Sequence, residues 1–240
     1  EILFHSEKSS CTKMSMIFTL KGNESVLSAS FFPPIKLDEN LPYFIGMIDF
    51  EAYNSIPNID SSNNKFYYDD KLFEIPTGAY EVEEIEKYLQ DKLGSDAISL
   101  KAENTTLQCA LTSKHAIDFK KPGTIGRLLG FGVKRLEANT KHMSDSPVQI
   151  LRVNVIMIDC NLVSGAYIND KEIHTIHQFA PVTPPGYKII EVPQNVIYLP
   201  INRKIIDNIT LKLLDQDGNL LNFRKETITI RLHLKHGVPV

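Results

Sequence analysis

From Thr227 to Lys235 the chain alternates almost without error, with Ile228, Ile230, Leu232 and Leu234 on one side and Thr227, Thr229, Arg231, His233 and Lys235 on the other. Successive strand side chains leave the backbone on opposite faces, so this period of two specifies a strand with one buried and one wet face. The same period sets Met14, Met16, Phe18 and Leu20 against Ser15 and Thr19, and Leu151, Val153, Val155 and Met157 against Arg152 and Asn154. Tyr43–Tyr53 is rich in β-branched and aromatic residues and ends before Ile56-Pro57-Asn58, where proline removes a ladder donor. Shorter strands are predicted at Lys65–Tyr68 and Leu72–Ile75 around an Asp69-Asp70 turn, and at Ala97–Ala102, Thr106–Leu111, Tyr187–Val192 and Val196–Leu199. Ile209, Leu211 and Leu213 run into Asp217-Gly218, a favoured hairpin turn, from which Leu220, Leu221 and Phe223 return.

One stretch has a helical period. Val82, Ile85, Leu89 and Leu93 recur at steps of three and four, Glu81, Glu83 and Glu84 fill the first turn, and Gly94 stands where the helix stops. An amphipathic helix is therefore predicted at about 81–93, with a short helical turn near 124–130 that ends at Gly130. The polar stretch Glu137–Pro147 reads as a surface loop, and Pro181, Pro184 and Pro185 force an extended one. Many short strands with no helix repeating between them exclude a doubly wound α/β fold. The expectation is an all-β protein, a single jelly-roll β-sandwich of two antiparallel sheets.

Composition narrows the chemistry. With 26 Lys plus Arg against 29 Asp plus Glu, the net charge of −3 supplies no bulk field for nucleic acid, and no apolar run is long enough for a membrane helix. Cys11, Cys109 and Cys160 are odd in number and far apart, which suggests neither a disulfide framework nor a zinc site. His174 and His177, and likewise His233 and His236, stand three apart, which in a strand sends the two side chains to opposite faces. Gly126, Gly130 and Gly132 lack the spacing of a phosphate-binding turn, no serine sits in a nucleophile elbow, and Asp215 and Asp217 are turn residues. No catalytic, cofactor-binding or metal-ligating residue is assigned, and no cofactor, small-molecule substrate or membrane anchor is expected. The basic residues Arg127, Lys134, Arg135 and Lys141 lack interleaved aromatics and read as a solvated face, so direct nucleic-acid binding is not expected.

Several runs then resemble a known family. Leu27-Ser28-Ala29-Ser30-Phe31-Phe32-Pro33-Pro34-Ile35, Tyr53-Asn54-Ser55-Ile56-Pro57-Asn58-Ile59 and Asn64-Lys65-Phe66-Tyr67 are similar to the minor capsid, or penton, protein of Polinton/Maverick elements and related adintoviruses. Thr124–Phe131, Pro184-Pro185-Gly186-Tyr187, Val196–Pro200 and Thr229–Leu234 extend the likeness from about Ser15 to Lys235. The resemblance implies a structural protein of the virion, made inside a host cell. It implies a single jelly roll that forms a pentamer at capsid vertices and touches the major capsid protein. That major capsid protein carries two jelly rolls and forms trimers, and two such sandwiches need far more than 240 residues unless the chain is a fragment. The competing readings are a lectin-like or cytokine-like ligand-binding sandwich, weakened on the lectin side by the absence of Trp, and an enzyme on a β scaffold.

A closed ring needs one flank of the subunit to complement the other. The loops Gln178–Tyr187 and Asn54–Asn64 combine aromatics with rigid turns, which makes Tyr53, Ile56, Phe66, Phe179 and Tyr187 the expected assembly contacts. Residues 1–13 are expected to form an N-terminal arm, and 14–240 a single jelly-roll domain.

Overall fold

The computed structural model describes residues 15–103, 105–150 and 152–237. The expected arm at 1–13, together with Met14, Asn104 and Leu151, lies outside the described residues. The chain first lays down β1 (Ser15–Gly22), β2 (Val26–Lys36) and β3 (Tyr43–Tyr53). It then makes β4 (Lys65–Tyr68), β5 (Lys71–Glu74), α1 (Val82–Leu93), β6 (Ile98–Ala102), β7 (Gln108–Ser113), β8 (Ile117–Asp118), β9 (Arg135–Leu136) and β10 (Lys141–Pro147). The remainder holds β11 (Ile156–Cys160), a hairpin of β12 (Ala166–Ile168) and β13 (Lys171–Ile173), then β14 (Thr175–Phe179), β15 (Lys188–Glu191) and β16 (Leu199–Pro200). β17 (Ile205–Leu214) and β18 (Ile228–His236) complete it.

Two compact units result: a body that runs up to Asn54 and resumes at Val155, and an inserted unit, Ser55–Asn154. The sandwich is interrupted after β3 by a unit with a core of its own. In the body one sheet has the order β1-β18-β3-β15, with β16 also on β3, and the other has β14-β11-β17-β2. Counting only these long-sheet strands in chain order, the first pairs with the last, the second with the next to last, and so inward to β11 with β14. That nesting of antiparallel pairs, rolled so that alternate pairs fall in opposite sheets, is a jelly roll.

Alternation accounts for the packing. Phe18, Leu20, Phe50, Ile230, Leu232 and Leu234 from one sheet and Leu27, Ile176, Ile209, Leu211 and Leu213 from the other are buried. Thr19 and Arg231 face outward from paired positions on β1 and β18. Two expectations change here. β11 begins only at Ile156, and Ile156, Met157 and Ile158 are all buried, because a central strand covered on both faces shows a run instead of an alternation. The strand expected after Asp217-Gly218 shrinks to a Leu214–Leu220 bridge, although the turn is closed by Gly218 N–H donating to Asp215 O at 3.1 Å. β2 was not among the alternating stretches, since Phe31-Phe32-Pro33-Pro34 breaks its period.

The inserted unit contains the sheets β5-β4-β8-β9 and β10-β7-β6. α1 spans Val82–Leu93 as predicted and turns Val82, Ile85 and Leu89 inward, each burial stabilising by about 1.5–3 kcal/mol. Glu84 accepts a 2.9 Å hydrogen bond from Glu81 N–H at its start, and Glu86 accepts one at 3.0 Å from Leu100 N–H, which ties the helix to β6. The turn near 124–130 forms through Leu129 N–H to Ile125 O and ends at Gly130, whose φ of +81° suits glycine. A Cβ there would stand 2.1 Å from Ser146 O, so the close approach also excludes a larger residue.

The expected surface loop 137–147 instead contains β10. Its inward residue is Ser144, which is buried and accepts a 2.9 Å hydrogen bond from Cys109 N–H. The ends of the unit are clamped together: Asn58 Nδ2 donates to Tyr80 O at 2.7 Å and to Ile150 O at 3.1 Å, and Arg152 pairs with Asp60.

Candidate assembly surface

Catalysis requires converging groups. Among the described residues no three His, Cys, Asp or Glu side chains gather as a metal set. His174 Nδ1 is engaged by Val163 O at 2.8 Å, and His177 donates from Nε2 to Glu191 at 3.0 Å. Burial pushes the Cys109 thiol up to about 12 and the Cys160 thiol up to about 11, so both are protonated at neutral pH. A hollow of about 430 Å³ in the body is lined by Asn23–Val26, Leu220–Phe223 and Lys225, and its two charged groups, Glu24 and Lys225, neutralise each other.

The flanks of the sandwich are chemically richer. β1 turns into β2 through Asn23–Ser25, and Phe18 meets Phe31 at 5.6 Å, so the edges β1 and β2 share one flank. On the opposite flank β14 and β15 are joined by the His177–Glu191 contact. β15 lies along β3 with Lys188 opposite Tyr53 and Ile190 opposite Glu51, while Lys188 pairs with Glu51. The loop before β15 is pinned by Asn54: its N–H donates to Tyr187 O at 2.8 Å and its Nδ2 to Thr183 O at 2.6 Å. The Lys188 ammonium, through its hydrogen bond and its charge, holds the Glu51 carboxyl below its ordinary range.

Beyond β15 the chain crosses β3 closely. A Cβ on Gly46 would lie 2.6 Å from Val196 Cγ1 and 2.8 Å from Ile197 O, so glycine lets the segment lie flush. Tyr198 anchors it through its hydroxyl, 2.7 Å from His233 Nδ1, with Lys235 over its ring at 3.7 Å.

These elements separate the residues expected at the surface. Tyr53 is 49% and Tyr187 68% exposed; the register of β3 with β15 sets Tyr53 opposite Lys188, so the two rings leave this edge of the sheet on opposite sides. Phe179 is half-buried between the sheets, its ring 5.2 Å from Phe50, and serves as packing. Phe66 is fully buried in the inserted unit, 5.3 Å from Phe73, and presents no surface to a partner. Ile56 is half-buried at the start of the same unit. Also exposed, and not expected from the sequence, are Val182, Ile190 and Val192 on the flank of Tyr187 and Phe32 on the opposite flank, which is wholly exposed. The signal for Phe32 was present: two prolines follow it and break the strand's period.

No family model matches the sequence, and no curated protein does either. A crystal structure of the mavirus penton protein superposes with a TM-score of 0.53, covering 93% of this chain and 99% of that one at 11% sequence identity. The two chains share a fold. A coverage of 93% also requires most of Ser55–Asn154, so the likeness includes the inserted unit as well as the sandwich.

Proposed function

We propose that the protein is a penton subunit of a viral capsid, related to those of Polinton/Maverick elements and adintoviruses. It assembles into a homopentamer at the vertex and meets the major capsid protein around it, within the virion. The observation that carries this reading is the shared fold, which extends over nearly the whole length of both chains. Two chemically different flanks on one sandwich also suit a ring, in which each copy offers a different face to each neighbour. The work is assembly, not catalysis, and it calls for neither cofactor nor small-molecule substrate.

Native mass spectrometry across a range of protein concentrations tests this. A five-fold species is expected. A trimer would replace the reading with a cytokine-like sandwich or a piece of a major capsid protein, and a monomer throughout would remove self-assembly.

A further inference from the structure

Four residues of β2, Phe31–Pro34, face the single Asp207 of β17. Such a bulge on an edge strand ends pairing and re-aims side chains. Phe31 turns inward against Phe18, whereas Phe32 stands clear of the protein, fully exposed. Pro33 and Pro34 offer no N–H to a neighbouring strand, and on the opposite flank β15 is only four residues long with Pro193 soon after it. Neither edge is suited to extend the sheet into another molecule. What they offer is side-chain surface.

The β15 flank exposes Tyr53 at 49%, Val182 at 89%, Tyr187 at 68%, Ile190 at 61% and Val192 at 63%. With aromatic side chains presenting about 150–250 Å² and aliphatic ones somewhat less, this amounts to roughly 500 Å² of apolar-rich surface. One partner of a standard interface contributes about 800 Å², a little over half of it apolar, so the exposed residues of this flank match the apolar share of one side. Lys36 at the end of β2 and Glu191 at the end of β15 add opposite charges to the two flanks.

We infer that Phe32 of one copy seats in the Tyr53–Tyr187–Val192 flank of a second copy, making the β2 bulge the anchor of a heterologous, ring-closing contact. This rests on the pentamer reading and specifies its interface. A fully exposed aromatic held by two prolines loses little conformational freedom on docking, which is what a hot-spot side chain requires.

Phe32 replaced by p-benzoylphenylalanine, irradiated in the assembled oligomer and digested, is expected to cross-link to a peptide within residues 180–192 of another copy. Phe32→Asp and Tyr187→Asp should each retain the far-UV spectrum and melting temperature of the parent and raise the assembly concentration at least tenfold. Val133→Asp, exposed in the inserted unit, is the control that assembles normally. Rings that cross-link elsewhere, or that form undiminished with Phe32→Asp, overturn this interface and leave the pentamer standing. A parent protein that is monomeric at every concentration removes the pentamer itself.

Discussion

The body and the inserted unit keep their cores by different means. In the body, strands of eight to eleven residues such as β1, β2, β3 and β18 run in long registers, and outside the bulge of β2 an inward-outward rule recurs along most of them. In the inserted unit β8 and β9 have two residues each, and the core depends on individual fittings: Phe66 between Phe73 and Phe119, Gly130 against Ser146, Asn58 bridging Tyr80 and Ile150. A repeated rule spreads stability over many equivalent side chains and leaves the outer faces and flanks free to vary. Individual fittings concentrate stability, so single changes there should be felt more sharply.

The contrast is open to test, starting with its largest consequence. Phe66→Ala should cost the inserted unit about 3–5 kcal/mol and expose β4 to β7 to hydrogen exchange while β18 stays protected. Equal loss of protection in β18 would break the separation of the two units. Next, Phe179→Ala should cost the body about 1–3 kcal/mol in urea unfolding, because its ring packs on Phe50 between the sheets. A negligible change would mean that Phe179 is surface after all.

Acid should then divide the units. In the inserted unit three carboxyls lie below their ordinary range. For Asp60 burial works the opposite way but is outweighed by Ser62 and Arg152. Asp69 is held down by His115 and Ala116 N–H, and Asp145 by Lys134 and Gly132 N–H. In the body Glu51 is held down by Lys188. A carboxyl with a lower pKa folded than unfolded stabilises above its unfolded value near 4, and that stability is lost as the pH falls through the folded value. Lowering the pH from about 5 to about 2 should therefore loosen the inserted unit more than the body, as read by hydrogen exchange in each. The smallest effect sharpens the distinction between face and core: Tyr187→Ala should change the unfolding free energy by no more than about 0.5 kcal/mol.

How far the sequence could be read follows the same division. β3 was legible to the residue and β18 from its alternation, and α1 from the spacing of Val82, Ile85 and Leu89 with the acidic first turn. β10 was not, because its inward position is filled by Ser144, whose hydroxyl is satisfied by Cys109 N–H in a way no local pattern announces. Of the expected assembly contacts, Tyr53 and Tyr187 are exposed while Phe66 and Phe179 turn inward, although all four are aromatics beside turns. An aromatic residue is equally suited to a core and to an interface, so residue type could not separate them.

What the sequence determined by itself is local: where the backbone extends, where it coils once into a helix, and which of two faces each strand buries, because those follow from periods of two and about 3.6 within a few residues. Only the tertiary structure decided that Ser15–Gly22 lies along Ile228–Lys235, that Ser55–Asn154 closes on itself, and that Phe32 points outward while Phe31 does not. Each of those outcomes joins residues far apart in the chain. Closing a longer loop costs only slightly more entropy than closing a shorter one, so what selects the partner is the packing formed once the strands meet.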